Sequence, residues 1–125
     1  MRSVGLIGLG VMGSRIAHNL YQAGYLKAVY NRTSSKALDF AGAHPGVSVA
    51  QSPAELAGGV DVVVTMLSDD QAVTEVVSAL LPSIRGKVLV DMSTISPSTS
   101  VELARKVAEA GGVMFDAPVM GTSVD

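Results

Sequence analysis

The chain has 125 residues, 48% of them hydrophobic and 4% aromatic, with a formal net charge of −2 and a mean hydropathy of +0.40, which suits one domain of ordinary size with a buried core. It has no cysteine, and that excludes disulfides, thiolate nucleophiles and zinc–thiolate sites. No long basic stretch is present, which argues against a nucleic-acid partner, and no apolar run approaches the roughly 18 residues that a membrane span requires.

The first predicted element is a strand over Ser3–Ile7, which leads into Gly8-Leu9-Gly10-Val11-Met12-Gly13. A helix is expected over Val11–Ala23, where Ile16, Ala17, Leu20 and Ala23 recur at three- and four-residue spacing, with Gly24 as the stop signal. Lys27–Tyr30 is a second strand and ends on Asn31-Arg32-Thr33; a helix over Ser35–Ala41 and a strand over Val47–Val49 follow. Ser52-Pro53-Ala54-Glu55 is a capping box with proline at the first helical position, and it opens a short helix, Pro53–Leu56. Val60–Thr65 is the fourth strand, after which Asp69 and Asp70 start a helix ending at Leu80. Val88–Asp91 and Val113–Phe115 are the last strands, separated by a helix over Pro97–Ala110 that Ser96-Pro97 opens with the same cap-plus-proline device.

Strands alternating with helices imply right-handed crossovers and a parallel sheet. The expected fold is therefore α/β, a Rossmann-type doubly wound sheet in one domain spanning residues 1–125, with no repeat or linker. Ligands of such sheets lie beyond the carboxyl ends of the strands. The segments to read are thus Gly8–Gly13, Asn31–Thr33, Met66-Leu67-Ser68, Met92-Ser93-Thr94 and Asp116–Thr122. Met1-Arg2-Ser3 and the apolar stretch after it have the outline of a short signal peptide. That stretch coincides with the glycine motif and lacks a small-x-small cleavage site, so a cytoplasmic setting is expected.

The glycine spacing points to a dinucleotide. The first turn of a helix offers unpaired N–H groups and partial positive charge, and a diphosphate uses them only where side chains are missing. In this reading Gly8 makes the turn, Gly10 admits the diphosphate and Gly13 lets the helix pack on its strand. The end of the second strand separates the candidate cofactors. Sites for NAD place an acid there for the ribose 2′-hydroxyl; this chain has Asn31 and Arg32 instead. A guanidinium matches a 2′-phosphate, and Thr33 and Lys36 add a hydroxyl and a second positive charge. NADP is therefore expected over NAD, and the missing acid also argues against S-adenosylmethionine and FAD. Two histidines without repeated ligand spacing give no metal constellation. His18 reads as structural and His44 as an exposed loop residue. Asp91 and Asp116 read as binding local backbone, and Met66, Met92, Met114 and Met120 as core or pocket filling.

Taken together, Gly5 to Gly13, Asn31-Arg32-Thr33, Met66-Leu67-Ser68, Asp91 to Pro97 and Asp116-Ala117-Pro118-Val119 resemble the β-hydroxyacid dehydrogenases, the family of 3-hydroxyisobutyrate, tartronate semialdehyde and 6-phosphogluconate dehydrogenases. The resemblance implies that Gly8, Leu9, Gly10, Val11, Met12 and Gly13 hold the diphosphate, and that Asn31, Arg32, Thr33 and Lys36 hold the 2′-phosphate. Met66, Leu67 and Ser68 would line the adenosine ribose, and Thr94 would lie near the nicotinamide ribose. Ser93 would bind a substrate carboxylate, and Gly121 and Thr122 would belong to a second substrate loop. That loop departs from the family's Asp-Ala-Pro-Val-Ser-Gly-Gly at Met120 and Thr122, which leaves an unusual substrate open. The family's general acid/base is a lysine on a later helix, and Lys27, Lys36, Lys87 and Lys106 do not match its motif. The all-helical catalytic and dimerisation domain is likewise expected to be absent, so no catalytic residue is assigned and no turnover is expected of residues 1–125 alone. The expected partner is a small-molecule carboxylate, with no nucleic acid and no membrane, and a homo-oligomer for the longer form. The alternatives are a non-catalytic NADP-binding or assembly module and an imine reductase-like fragment.

Overall fold

A computed structural model describes residues 2–118. Valine- and leucine-rich runs form strands β1 (Val4–Ile7), β2 (Leu26–Tyr30), β3 (Ser48–Val49), β4 (Val62–Thr65), β5 (Val88–Asp91) and β6 (Val113–Asp116). Between them lie helices α1 (Val11–Gln22), α2 (Ser34–Ala43), α3 (Pro53–Gly58), α4 (Asp70–Leu80) and α5 (Pro97–Glu109), with a 3-10 turn, Leu81–Ser83, closing α4. Among the described residues the strands form one sheet in the order β3-β2-β1-β4-β5-β6, and every pairing is parallel. The chain builds outward from β1 to β3, then returns to lay β4 against the other side of β1. Ligands of open α/β sheets bind at such a reversal.

Because successive strand residues point to opposite faces, the inner strands feed two cores, while Val113 and Phe115 of edge strand β6 are exposed. Leu6, Val29 and Val64 pack with Ala17 of α1 and with Ala37 and Phe40 of α2. Ile7, Val63 and Leu89 pack on the other face with Leu56 of α3, Val77 of α4 and Leu103 of α5. Both faces are thus lined by apolar side chains, which explains the near-continuous hydrophobic runs.

The strand and helix ends differ from the sequence reading where side chains intervene. Ser3 is outside β1, because its N–H and hydroxyl donate to Asp61 Oδ2. Val60 is buried but belongs to the turn after α3, where its N–H donates to Ala57 O; the ladder with β1 begins at Val62. Gly24 does stop α1: its φ is +88° and its N–H donates to Tyr21 O. His44 is not the exposed loop residue that the sequence suggests. It is half-buried, it closes α2 and stacks on Phe40 with ring centroids 3.8 Å apart. Its Nδ1 lies 2.8 Å from Phe40 O, so that nitrogen carries the proton, and Nε2 meets Nδ1 of His18 at 2.9 Å. The pair ties the outer face of α1 to the end of α2.

Candidate dinucleotide site at the carboxyl rim

The three motif glycines occupy three different environments. Gly8 has φ +110°, and a Cβ there would run into the Met66 carbonyl oxygen. A Cβ on Gly13 would run into the Gly8 carbonyl oxygen, which is how closely α1 sits on β1. A Cβ on Gly10 would meet nothing within 4 Å. Gly8 and Gly13 are therefore required by the protein's own packing, whereas Gly10 faces open space, as a diphosphate seat demands. Helix α1 begins there with no side-chain cap, unlike α3 and α4, whose starts are capped by Ser52 and Asp69. Its first-turn N–H groups are thus left to water or to an anion. Val11, 84% exposed, and the partly buried Met12 complete the turn. Leu9 differs: its N–H donates to Asn31 Oδ1 at 2.7 Å.

The end of β2 stands beside this turn, because β1 and β2 are neighbours in register up to Ile7 and Tyr30. Arg32, Thr33 and Lys36 are exposed. Thr33 is the N-cap residue of α2, yet its side chain makes no capping bond. Ion pairs among the described residues all lie on α5, Arg105 with Glu102 and Glu109 and Lys106 with Glu102, so Arg32 has no carboxylate partner there. Arg32 borders a cleft of about 250 Å³ with Ser68, Gln71 and Glu75. It also borders a narrower one of about 90 Å³ with Gly8, Asn31 and Leu67. The sequence reading missed Gln71, Ala72 and Glu75 as rim residues. They lie on α4, and only the return of the chain to β4 brings them opposite Arg32.

Further along the rim the polar residues hold one another. Asp91 is completely buried. Its Oδ1 accepts from the Thr65 hydroxyl at 2.8 Å and from the Ser93 N–H at 3.2 Å, while Oδ2 has no partner among the described residues. Ser93 is also fully buried, and its Oγ accepts the Leu67 N–H at 2.8 Å. Its oxygen therefore faces the Met66-Leu67-Ser68 segment rather than open rim. Thr94 beside it is exposed. Ser96 is the N-cap residue of α5 but does not cap its own helix, contrary to the cap-plus-proline reading. Its N–H and hydroxyl donate to Asp70 of α4, the latter at 2.6 Å. The Ser96 hydroxyl, and after it the Thr99 hydroxyl, hold the Asp70 carboxyl below the usual carboxylate range. Gly121 and Thr122 lie outside the described residues.

Size alone does not mark the site. A roomier hollow, about 510 Å³, is a shallow one on the outer face of α1, lined by Arg15, His18, Asn19, Phe40 and His44. Among the described residues no group of three or more potential ligands gathers to hold a metal, and no helix is long and apolar enough to cross a membrane.

Residues 3–125 match the family described as the NAD binding domain of 6-phosphogluconate dehydrogenase. The chain is 43% identical over 122 residues to mitochondrial 3-hydroxyisobutyrate dehydrogenase of Mus musculus, covering 94% of this chain and 36% of that protein. It is 40% identical over 126 residues to the cytokine-like nuclear factor N-PAC of Xenopus tropicalis, covering 96% of this chain and 23% of that one. An imine reductase from Myxococcus stipitatus, solved in complex with NADP+, superposes with a TM-score of 0.86 at 26% identity over 94% of this chain and 41% of that chain. The chain thus spans little more than a third, or less, of the curated relatives named here.

Proposed function

The chain belongs to the family of the NAD-binding domain of 6-phosphogluconate dehydrogenase, and from that premise we propose that it is the NADP-binding part of an oxidoreductase acting on a small 3-hydroxy acid or aldehyde acid. The observation that carries the choice of NADP is Arg32. It stands at the end of β2 where an acid would select NAD, has no carboxylate partner among the described residues, and adjoins Thr33 and Lys36.

The residues fit the cofactor. The open face at Gly10 and the uncapped start of α1 suit a diphosphate, with Val11 and Met12 supplying N–H groups. Arg32, Thr33 and Lys36 would hold the 2′-phosphate, Met66, Leu67 and Ser68 the adenosine ribose, and Thr94 the nicotinamide ribose. When bound, the nicotinamide supplies or receives the hydride. The chain's own part is to hold that ring over the rim. Ser93, buried and held by the Leu67 N–H, would reach a substrate carboxylate through its hydroxyl proton only if the rim above it opens; Gly121 and Thr122 complete the substrate side in this reading.

Proton transfer is left to a residue elsewhere. Lys87 donates its Nζ to Val60 O at 2.6 Å, near the start of β5 and away from the rim. Lys106 sits beside Glu102 on α5. On this reading the 125-residue chain alone binds NADP without turnover; a cytoplasmic setting and a homo-oligomeric working form are separate parts of the proposal. The likeness to a protein named a nuclear factor favours a second reading, a non-catalytic NADP-binding or assembly module, and the likeness to an imine reductase allows a substrate without a carboxylate. Calorimetric titration with NADPH and NADH tests the main reading: tighter NADPH binding supports it, and preference for NADH defeats it. Oxidation assays of small hydroxy acids with the longer protein separate the enzyme from the module.

A further inference from the structure

We infer that Asn31 is a positioning residue that locks the diphosphate turn to the 2′-phosphate turn and does not itself read the 2′-phosphate. The inference rests on the dinucleotide reading of the site. Asn31 Oδ1 accepts the Leu9 N–H at 2.7 Å, and Nδ2 donates to the Thr33 carbonyl at 3.1 Å. The two partners fix the orientation of the amide, because an N–H must face the oxygen and a carbonyl must face the NH2.

The place of this bracket explains its work. Main-chain pairing between β1 and β2 ends where the Gly8 N–H donates to Tyr30 O at 3.0 Å. Beyond that point the backbones part, β1 into the glycine turn and β2 into the Arg32 turn. Asn31 continues the ladder one step with its side chain. Leu9 is only 4% exposed, so its N–H has little water to turn to, and a donor left without an acceptor there is costly. The bond also removes the Leu9 N–H from the groups open to a diphosphate, so the free amides begin at Gly10, beside the open space.

Asparagine is the residue that this geometry needs. Aspartate could accept from Leu9 but would set its second carboxylate oxygen against the Thr33 carbonyl. An acid at position 31 therefore conflicts with this turn before any cofactor arrives. Asn31 thus acts on both cofactors alike through the backbone, while Arg32 acts on specificity through charge.

The test is titration of the 125-residue chain and its Asn31→Ala variant with NADPH and NADH, together with NMR hydrogen exchange of the Leu9 amide without cofactor. A positioning role weakens both cofactors by the same factor, about tenfold, and speeds Leu9 exchange. Loss of NADPH affinity alone, or unchanged Leu9 exchange, overturns the proposal. If Asn31→Ala does not fold, Asn31→Asp carries the test by exchange alone: it keeps an acceptor for the Leu9 N–H, so the Leu9 amide should stay protected, and loss of that protection overturns the bracket. If the wild-type chain binds neither cofactor, the dinucleotide reading fails on its own, and faster Leu9 exchange in Asn31→Ala still establishes the bracket as a structural one.

Discussion

Asp70 caps a helix that is not its own. It is the first residue of α4, and its carboxylate accepts from the Ser96 N–H at 3.1 Å, the Ser96 hydroxyl at 2.6 Å and the Thr99 hydroxyl at 2.8 Å, all at the start of α5. Asp69, one residue earlier, performs the ordinary duty of capping α4 by accepting from the Ala72 N–H at 2.8 Å. Adjacent acids thus fasten two helices, and through them the two rim segments that carry Ser68 and Thr94.

This arrangement makes stability depend on acid. The Ser96 hydroxyl, then the Thr99 hydroxyl, hold the Asp70 carboxyl below its usual value of 3.8. The folded-state value lies below the unfolded one, so the contribution is fully present above the unfolded value and is lost as pH falls through the folded one. Asp61, held down mainly by the Ser3 backbone N–H, and Glu102, held down mainly by Arg105, act in the same direction. Asp70→Asn should therefore lower the urea midpoint at neutral pH, and the gap from wild type should close as pH drops below about 4. A gap of constant size across that range would show that the carboxylate charge is irrelevant.

Gly10 and Gly13 should separate binding from folding. Gly10→Ala places its methyl in open space at φ −73°, so the melting temperature should hold while dinucleotide affinity falls. Gly13→Ala drives its methyl into the Gly8 carbonyl and should destabilise the fold by about 1–3 kcal/mol. Thermal melts and cofactor titrations of both variants check the contrast, which fails if the two behave alike.

Arg32→Asp should invert cofactor choice. Losing charge-assisted bonds to a 2′-phosphate costs about tenfold to a hundredfold in NADPH affinity, with NADH affected far less. Titration of the variant with both cofactors reads this directly. A variant that retains the wild-type NADPH preference would remove Arg32 from the account of specificity.

Thr65→Val tests the buried cluster. The change keeps shape but removes the hydroxyl that donates to Asp91 Oδ1, leaving a carboxylate whose other oxygen already has no partner among the described residues. Destabilisation of about 1–3 kcal/mol is expected in urea unfolding, and a neutral result would mean that Asp91 draws its support from elsewhere.

The architecture was legible because its signals are local and repeated. Apolar runs of strand length, glycines at the turns, and Ser52 and Asp69 at helix starts place every strand and helix within a few residues, and α4 runs from Asp70 to Leu80 as read. Glu55 answers its capping box one residue off, accepting from the Gln51 N–H. What stayed hidden depends on partners far apart in sequence. Asp70 meets Ser96 across 26 residues and Ser93 meets Leu67 across the same separation; periodicity carries no trace of either. His44 reads as a loop residue beside Pro45 until Phe40 and His18 are seen around it. The opposition of Gln71 and Glu75 to Arg32 likewise follows from strand order and not from any motif.

The contact of Gly13 with the Gly8 carbonyl has a wider consequence for how such a domain diversifies. The floor of that turn is main chain set against main chain, and the Asn31 side chain is what ties it to the turn beside it. Substitutions along the rim at Arg32, Ser68 or Thr94 can therefore change what the groove recognises while the glycine turn keeps its form.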